Sequence, residues 1–555
     1  MQNDQLGTPP DGPGGQGQAP ATNATYSGAT TLTSETTGFN VGEDGLASTV
    51  GGQNALLVTG GEFNLSDTKI TKSGDEASEE SDFYGTNAAV LITDGALTLS
   101  DSQVDTSGAH ANGIFAYGNG NATISNTAIT TTNNNSGGIM VAGGGKLSAT
   151  GSTVETKGNS SAAIRSDRGG GTIEIFGGDY TTHGQGSPAI YSTASITVSD
   201  AELTSTSSEG VVIEGSNSVN LSHVTLTDTN NTLNGNSETY KNIFIYQSMS
   251  GDASEGTGTF QANESTITTN QGDTFFVTNA TANIRLTDNR IINNDATSAF
   301  LRAQAGKWGT AGSNGGHVNL TLNQQVAEGD IVLDSLSTLT LVLENSSFYM
   351  GAINSGNTAQ TISVNIDASS QLILAGDTYI SELTNAMPDN MNIYSNGGHK
   401  LYVAGEEIAI NGSEAPEVPE VTIDKEEEPI METVVEDTTG ASGTDIVPFV
   451  VGGVAILVIV LAVVALFLHN KKKKGPTTSI DEVVVDPTIT SSGRPDFSQF
   501  DDGPVPQGEG YIPPAAPASP TPATPATPVT PPTSVTSSPT APSSTDTHRP
   551  LVGQM

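Results

Sequence analysis

Before residue 448 the chain alternates apolar and small polar side chains in short bursts, and the bursts recur. One series reads small, small, aliphatic: ALLV from Ala55, AAVL from Ala88, NGIF from Asn112, GGIM from Gly137, AAIR from Ala162, PAIY from Pro188 and GVVI from Gly210. With Leu57, Val90, Ile114, Ile139, Ile164, Ile190 and Val212 as equivalent positions, the gaps are 33, 24, 25, 25, 26 and 22. The long first gap holds an acidic insertion, DEASEESDFYG. Each burst is followed by a second, such as LTLSDSQVD from Leu97, ATISNTAIT from Ala122 and ITVSDAELT from Ile196. Strict alternation predicts strands, and the Ser, Asp, Asn and Gly between them predict turns. A repeat of about 24 residues built of two short strands and tight turns is the pattern of a parallel β-helix with one coil per repeat. Alternate side chains then point inward and stack on those of the next coil, aliphatic on aliphatic, with Ser, Thr and Asn laddering at the turns.

Related bursts continue through VNLTLNQQV from Val318 to LILAGDTYI from Leu372, which places the solenoid at residues 40–411. That length allows about fifteen coils, or about 70 Å at about 4.8 Å per coil. Residues 1–39, rich in Gly and Pro, predict a disordered leader. The signatures of leucine-rich and helical repeats are missing, and an array of β-sandwiches would not keep so even a spacing.

The chain resembles right-handed parallel β-helix surface proteins of the pectate-lyase-like superfamily, particularly adhesin-like and autotransporter passenger proteins. GGI at 137–139 and FQAN at 260–263 are similar to the repeat tetrads of polymorphic membrane proteins. The resemblance implies an all-β, right-handed, single-stranded parallel β-helix and a life at a cell surface. It says more about fold than about function.

The pattern changes at Pro448. From there to Leu468 the sequence PFVVGGVAILVIVLAVVALFL has no charged residue, the length of a membrane-spanning helix, and predicts one at 446–470. Lys471 to Lys474 follow, which puts the C-terminal side in the cytosol and the N-terminal side outside, at the plasma membrane. Export of so large a domain predicts either a secretion signal upstream of Met1 or an unusual route, because the first twenty residues have neither a basic start nor an apolar core. Residues 412–445 read as an acidic stalk extended by self-repulsion. Residues 471–555, rich in Pro, Thr and Ser, read as a disordered tail, where Tyr511 and PxxP-like spacings are candidate docking points for a cytosolic adaptor.

Charge sharpens this division. The chain carries 60 acidic and 19 basic residues, net −41. Of these, 52 acidic and 13 basic precede the anchor, so −39 of the charge belongs to the outer part. Such a surface repels nucleic acid and anionic lipid, which excludes both as ligands of the outer domain. There is no cysteine, so disulfides, zinc–thiolate sites and thiol catalysis are excluded, and no cofactor is expected. Asn-x-Ser/Thr sequons predict N-glycosylation at Asn64, Asn121, Asn159, Asn220, Asn263, Asn279, Asn319 and Asn345 if the chain passes a secretory pathway that glycosylates.

No catalytic signature appears: GGHV at 315–318, GGHK at 397–400 and HGQG at 183–186 do not match the polygalacturonase set, and no calcium-loop spacing or nucleophile elbow is present. Asp167 and Asp179, one strand apart, are the one candidate carboxylate pair, with turn stabilisation as the plainer role. With Ile114, Ile139, Ile164 and Ile190 inward, Phe115, Met140, Arg165 and Tyr191 point outward in one column, joined by Tyr117, Asp167 and Arg168. Two arrangements fit: an exposed patch for sugar rings or a protein partner, or an aromatic stack covered by the N-terminal segment or a loop. Three functions follow in order: an adhesin or recognition protein for host cells, glycans or surface proteins; a tethered polysaccharide lyase or hydrolase; and a structural coat without a ligand.

Overall fold

The computed structural model describes residues 24–78, 80–235, 237–248 and 250–423. Over these the chain winds as an all-β parallel solenoid of about fifteen turns. The one α-helix among the described residues is short, Glu80–Tyr84. The predicted spanning helix at 446–470, the tail at 471–555 and most of the stalk lie outside the described residues. Among the described residues no helix is long and apolar enough to cross a membrane.

Each turn lays strands on three faces. On the first face, parallel pairing runs from Gly28–Leu32 to Ile331–Leu333, each strand on the equivalent strand one turn away. The second face stacks Leu65, Leu99, Ile124, Ala149, Ile175, Val198 and Leu221 inward. The third stacks Ile70, Val104, Ile129, Val154, Tyr180, Leu203 and Leu226. These columns form one continuous core, because a period of two sends every second side chain to the same side of the strand.

The corners explain the turn residues. Between the second and third faces one residue of each turn adopts a left-handed conformation: Asp67, Asp101, Asn126, Gly151, Gly177, Asp200 and His223 in succession. Asp, Asn and Gly tolerate that conformation at lowest cost, which is why S-D, S-N and T-G dipeptides punctuate the repeat. At the corner between the third and first faces the buried hydroxyls ladder, the Ser136, Ser161 and Ser187 Oγ atoms accepting from the backbone N–H groups of Ala111, Ser136 and Ser161. A side chain on Gly158 would collide with the Asn133 carbonyl of the neighbouring turn, so the coils approach there as only glycine allows.

Two expectations change. The solenoid starts upstream of residue 40, since Gly28–Leu32 pairs with Asn54–Ser66. The repeat register also slips by one at both ends of the series, because Leu56 pairs with Val90 and Ile190 with Val211. Leu57 and Val212 therefore face outward. At ALLV and GVVI two aliphatics are adjacent, and a one-residue shift exchanges the faces. Phe39 and Val41 pack partly on the core at the first turn, and an antiparallel pair, Leu401–Val403 with Glu406–Ile408, closes the last.

Candidate functional site

The outward column of the first face is continuous in register: Leu57, Leu91, Phe115, Met140, Arg165, Tyr191, Val212, Phe244, Phe276 and Arg302. It points away from the core as the alternation predicts, yet it is not surface. Phe115 and Met140 are 0% exposed, Tyr117 and Tyr191 8%, Asp167 4%. The acidic insertion folds as the short helix and, with Ala24 and Tyr26, lays Phe83 and Tyr84 over Leu57, Leu91, Phe115, Tyr117 and Met140. Farther along, Trp308 packs with Phe244, Tyr246 and Phe276 beside Tyr191 and Val212. The exposed patch expected at Phe115, Tyr117, Met140, Arg165, Asp167, Arg168 and Tyr191 is thus corrected to the covered arrangement. At about 25 cal/mol per Å² of apolar area, a bare column of this kind would forgo several kcal/mol that the insertions recover by lying on it.

Charge is concentrated between the two apolar clusters. Arg165 lies in the column with its guanidinium 3.1 Å from Asp167 Oδ2 and 4.0 Å from Asp82 Oδ1 on the short helix. His110 Nδ1 meets the other oxygen of Asp82 at 3.1 Å. Arg168 stacks 4.1 Å above the Phe83 ring and donates from Nε to Asp252 Oδ1 at 2.6 Å. Asp252 belongs to a loop inserted between Lys241–Tyr246 and Thr257–Asn263. The two arginines therefore hold both covering segments to the solenoid.

The same loop continues the network. Ser250 Oγ donates to Asp252 Oδ2 at 2.7 Å and lies 2.6 Å from Ser248 Oγ, which in turn contacts Glu214 Oε1. The other Glu214 oxygen accepts from the Tyr191 and Tyr246 hydroxyls at 2.6 and 3.0 Å. Glu214 is fully buried, with no cation beside it among the described residues; burial first, and then the charge of Asp252, push its carboxyl up to about 8. Burial likewise raises Asp167 to about 7, with Arg165 pulling the other way, and raises Asp228. Such groups keep their proton in the folded chain and lose it in the unfolded one, so they favour folding below the ordinary carboxylate range. That contribution fades as pH rises to about 8. Unfolding temperature is accordingly expected to fall as pH is raised from 5 to 8, by calorimetry at constant ionic strength, with a slope of about 1.4 kcal/mol per pH unit for each proton.

Beside Asp252 opens a groove of about 250 Å³, walled by turns 169–171, 193–195 and 216–218 and by residues 252–254. Its lining is hydroxyl, amide, carboxylate and glycine backbone: Ser195, Ser216, Asn217, Ser218, Asp252 and Ser254 among others. Asp167 and Asp179 do not share it. Asp179 is exposed on the third face, opposite Thr153 and Glu202, while Asp167 is buried at the corner. Among the described residues no group of three His, Asp or Glu side chains is placed to hold a metal ion. Of the sequons, Asn64, Asn121, Asn159, Asn319 and Asn345 are exposed, whereas Asn220, Asn263 and Asn279 are half-buried and Asn279 Nδ2 donates to the Gln247 carbonyl.

Glu214, Ser248, Ser250 and Asp252 were missed by the sequence reading. The signal was present: Glu214 is a charge in a run of aliphatics, VVIE, and the turn from Ile243 to its partner Phe275, which holds Ser248, Ser250 and Asp252, is longer than the turns from Val90 to Val211, marking an insertion. Compared with known proteins, the chain matches no family model, no curated protein and no solved structure.

Proposed function

We propose that the protein is a surface recognition molecule of adhesin type, held by the apolar segment 446–470 and reading a carbohydrate in the groove beside Asp252. The observation that carries this is the groove itself: it is open, polar and lined by hydroxyl and amide groups at the spacing of stacked turns. Hydroxyl and amide groups both donate and accept, so a polar groove of this kind can exchange hydrogen bonds with the hydroxyls of a sugar. The right-handed coil implied by the resemblance agrees with the handedness of nearly all parallel crossover connections. A tethered lyase or hydrolase would need two accessible carboxylates at the groove, and Glu214 is wholly enclosed by its three hydroxyl partners.

The test is a glycan array probed with the full chain in detergent, beside a variant carrying Ser195→Tyr and Ser218→Tyr to fill the groove. At least a tenfold loss of binding in the variant, with an unchanged unfolding temperature, is expected. Undiminished binding, or release of reducing sugar by the wild type, overturns the reading.

A further inference from the structure

The chain Glu214–Ser248–Ser250–Asp252 contains three oxygen-to-oxygen contacts but only two hydroxyl hydrogens. The tyrosine hydroxyls bring their own hydrogens to the other Glu214 oxygen, and the Ser250 and Asp252 backbone N–H groups bring theirs to the serine oxygens. The third contact therefore needs a proton from one of the two carboxyl groups. Asp252 is paired with the Arg168 guanidinium at 2.6 Å, whereas Glu214 meets hydroxyls only among the described residues, so the geometry places the proton at the Glu214 end of the chain. All hydroxyls then point one way, from Glu214 through Ser248 and Ser250 to Asp252.

Resting on the reading of the groove as the ligand site, we infer that this single shared proton latches residues 250–254 to the solenoid, so that binding in the groove is switched by pH. With the proton present, the loop supplies Asp252 and Ser254 as the outer wall. On its loss the hydroxyls shift their hydrogens along the chain and the proton leaves through the Asp252 end into the groove. One contact is left without hydrogen, and two carboxylates then face each other across two serines. The charged and titratable groups around Glu214 are Tyr191 and Tyr246 on the strands either side, Asp252 on the loop, and Asp167, Arg168, Arg165 and Asp82 beyond. Among these, four carboxylates meet two arginines once Glu214 ionises, so the balance turns repulsive.

The sole tryptophan of the chain reports on the latch, because the Trp308 ring lies 5.3 Å from that of Tyr246, whose hydroxyl donates to Glu214. Tryptophan emission and acrylamide quenching of the full chain in detergent, titrated from pH 6.5 to 9.5, are expected to show one transition with a midpoint near 8, quenching at least doubling above it. In Glu214→Gln the amide donates to Ser248 permanently while its oxygen still accepts from both tyrosines, so the transition should vanish with emission held at its low-pH value. Ser250→Ala cuts the chain and removes the need for the extra proton, and should shift the midpoint by more than one pH unit. A flat wild-type titration, or the same transition in both variants, overturns the latch. These readings need no ligand: a transition without glycan binding sinks the carbohydrate site alone, while glycan binding that is constant from pH 7 to 9 sinks the switch alone.

Discussion

At pH 8, above the value of about 7 to which Asp167 is raised, Arg165→Ala is expected to destabilise the solenoid by about 3–5 kcal/mol, the range for leaving buried charge without its partner. Arg165 bridges Asp82 and Asp167, and Asp167 is 4% exposed. Its loss leaves both carboxylates to find protons or water beneath the short helix, and removes the contact that fixes the helix to the column. Urea unfolding followed by Trp308 emission measures it. Adding Asp167→Asn to Arg165→Ala should recover at least a third of the loss, since the uncompensated charge and not the missing side chain dominates. No recovery in the double variant would assign the cost to packing instead.

Phe275→Ala should cost a similar amount, about 3–5 kcal/mol, for a different reason. Phe275 is 1% exposed in the core, 5.7 Å from the Phe260 ring and 5.5 Å from Phe300, which is followed by Tyr349 at 6.0 Å. The four rings form a column through successive turns, mostly edge to face, and truncating one leaves a void that its neighbours on fixed strands cannot fill. In a solenoid each turn touches only its neighbours, so the defect weakens two interfaces and should split the unfolding transition. Phe176→Ser is the contrast: that ring is 59% exposed, and its loss should stay within about 0.5 kcal/mol in the same assay.

These two phenylalanines show how far sequence reaches. FFVT at 275–278 and IEIF at 173–176 both read as strand. The alternation is a local property of the backbone, so strand positions, an inward aliphatic column and Asp, Asn and Gly turns were legible from spacing alone, while the left-handed conformation at those turns was seen in the structure. Register was legible wherever the first aliphatic follows two small or turn-forming residues, and failed at Leu57 and Val212, where only one small residue precedes the pair of aliphatics. Helix was not expected in DEASEESDFYG, because five helical residues leave no period to detect.

What the amino-acid order determined by itself was the scaffold: a parallel solenoid with stacked aliphatics inside and an acidic exterior, set by interactions between a residue and its equivalents one turn away; that each turn has three faces and not two strands came from the structure. What only the tertiary structure decided was which outward residues meet water. That depends on where insertions fold back, a long-range event with no period. It turned Phe115, Met140 and Tyr191 from a candidate surface into a second core. It also joined Glu214 to Asp252, 38 positions later, through two serines that no motif connects.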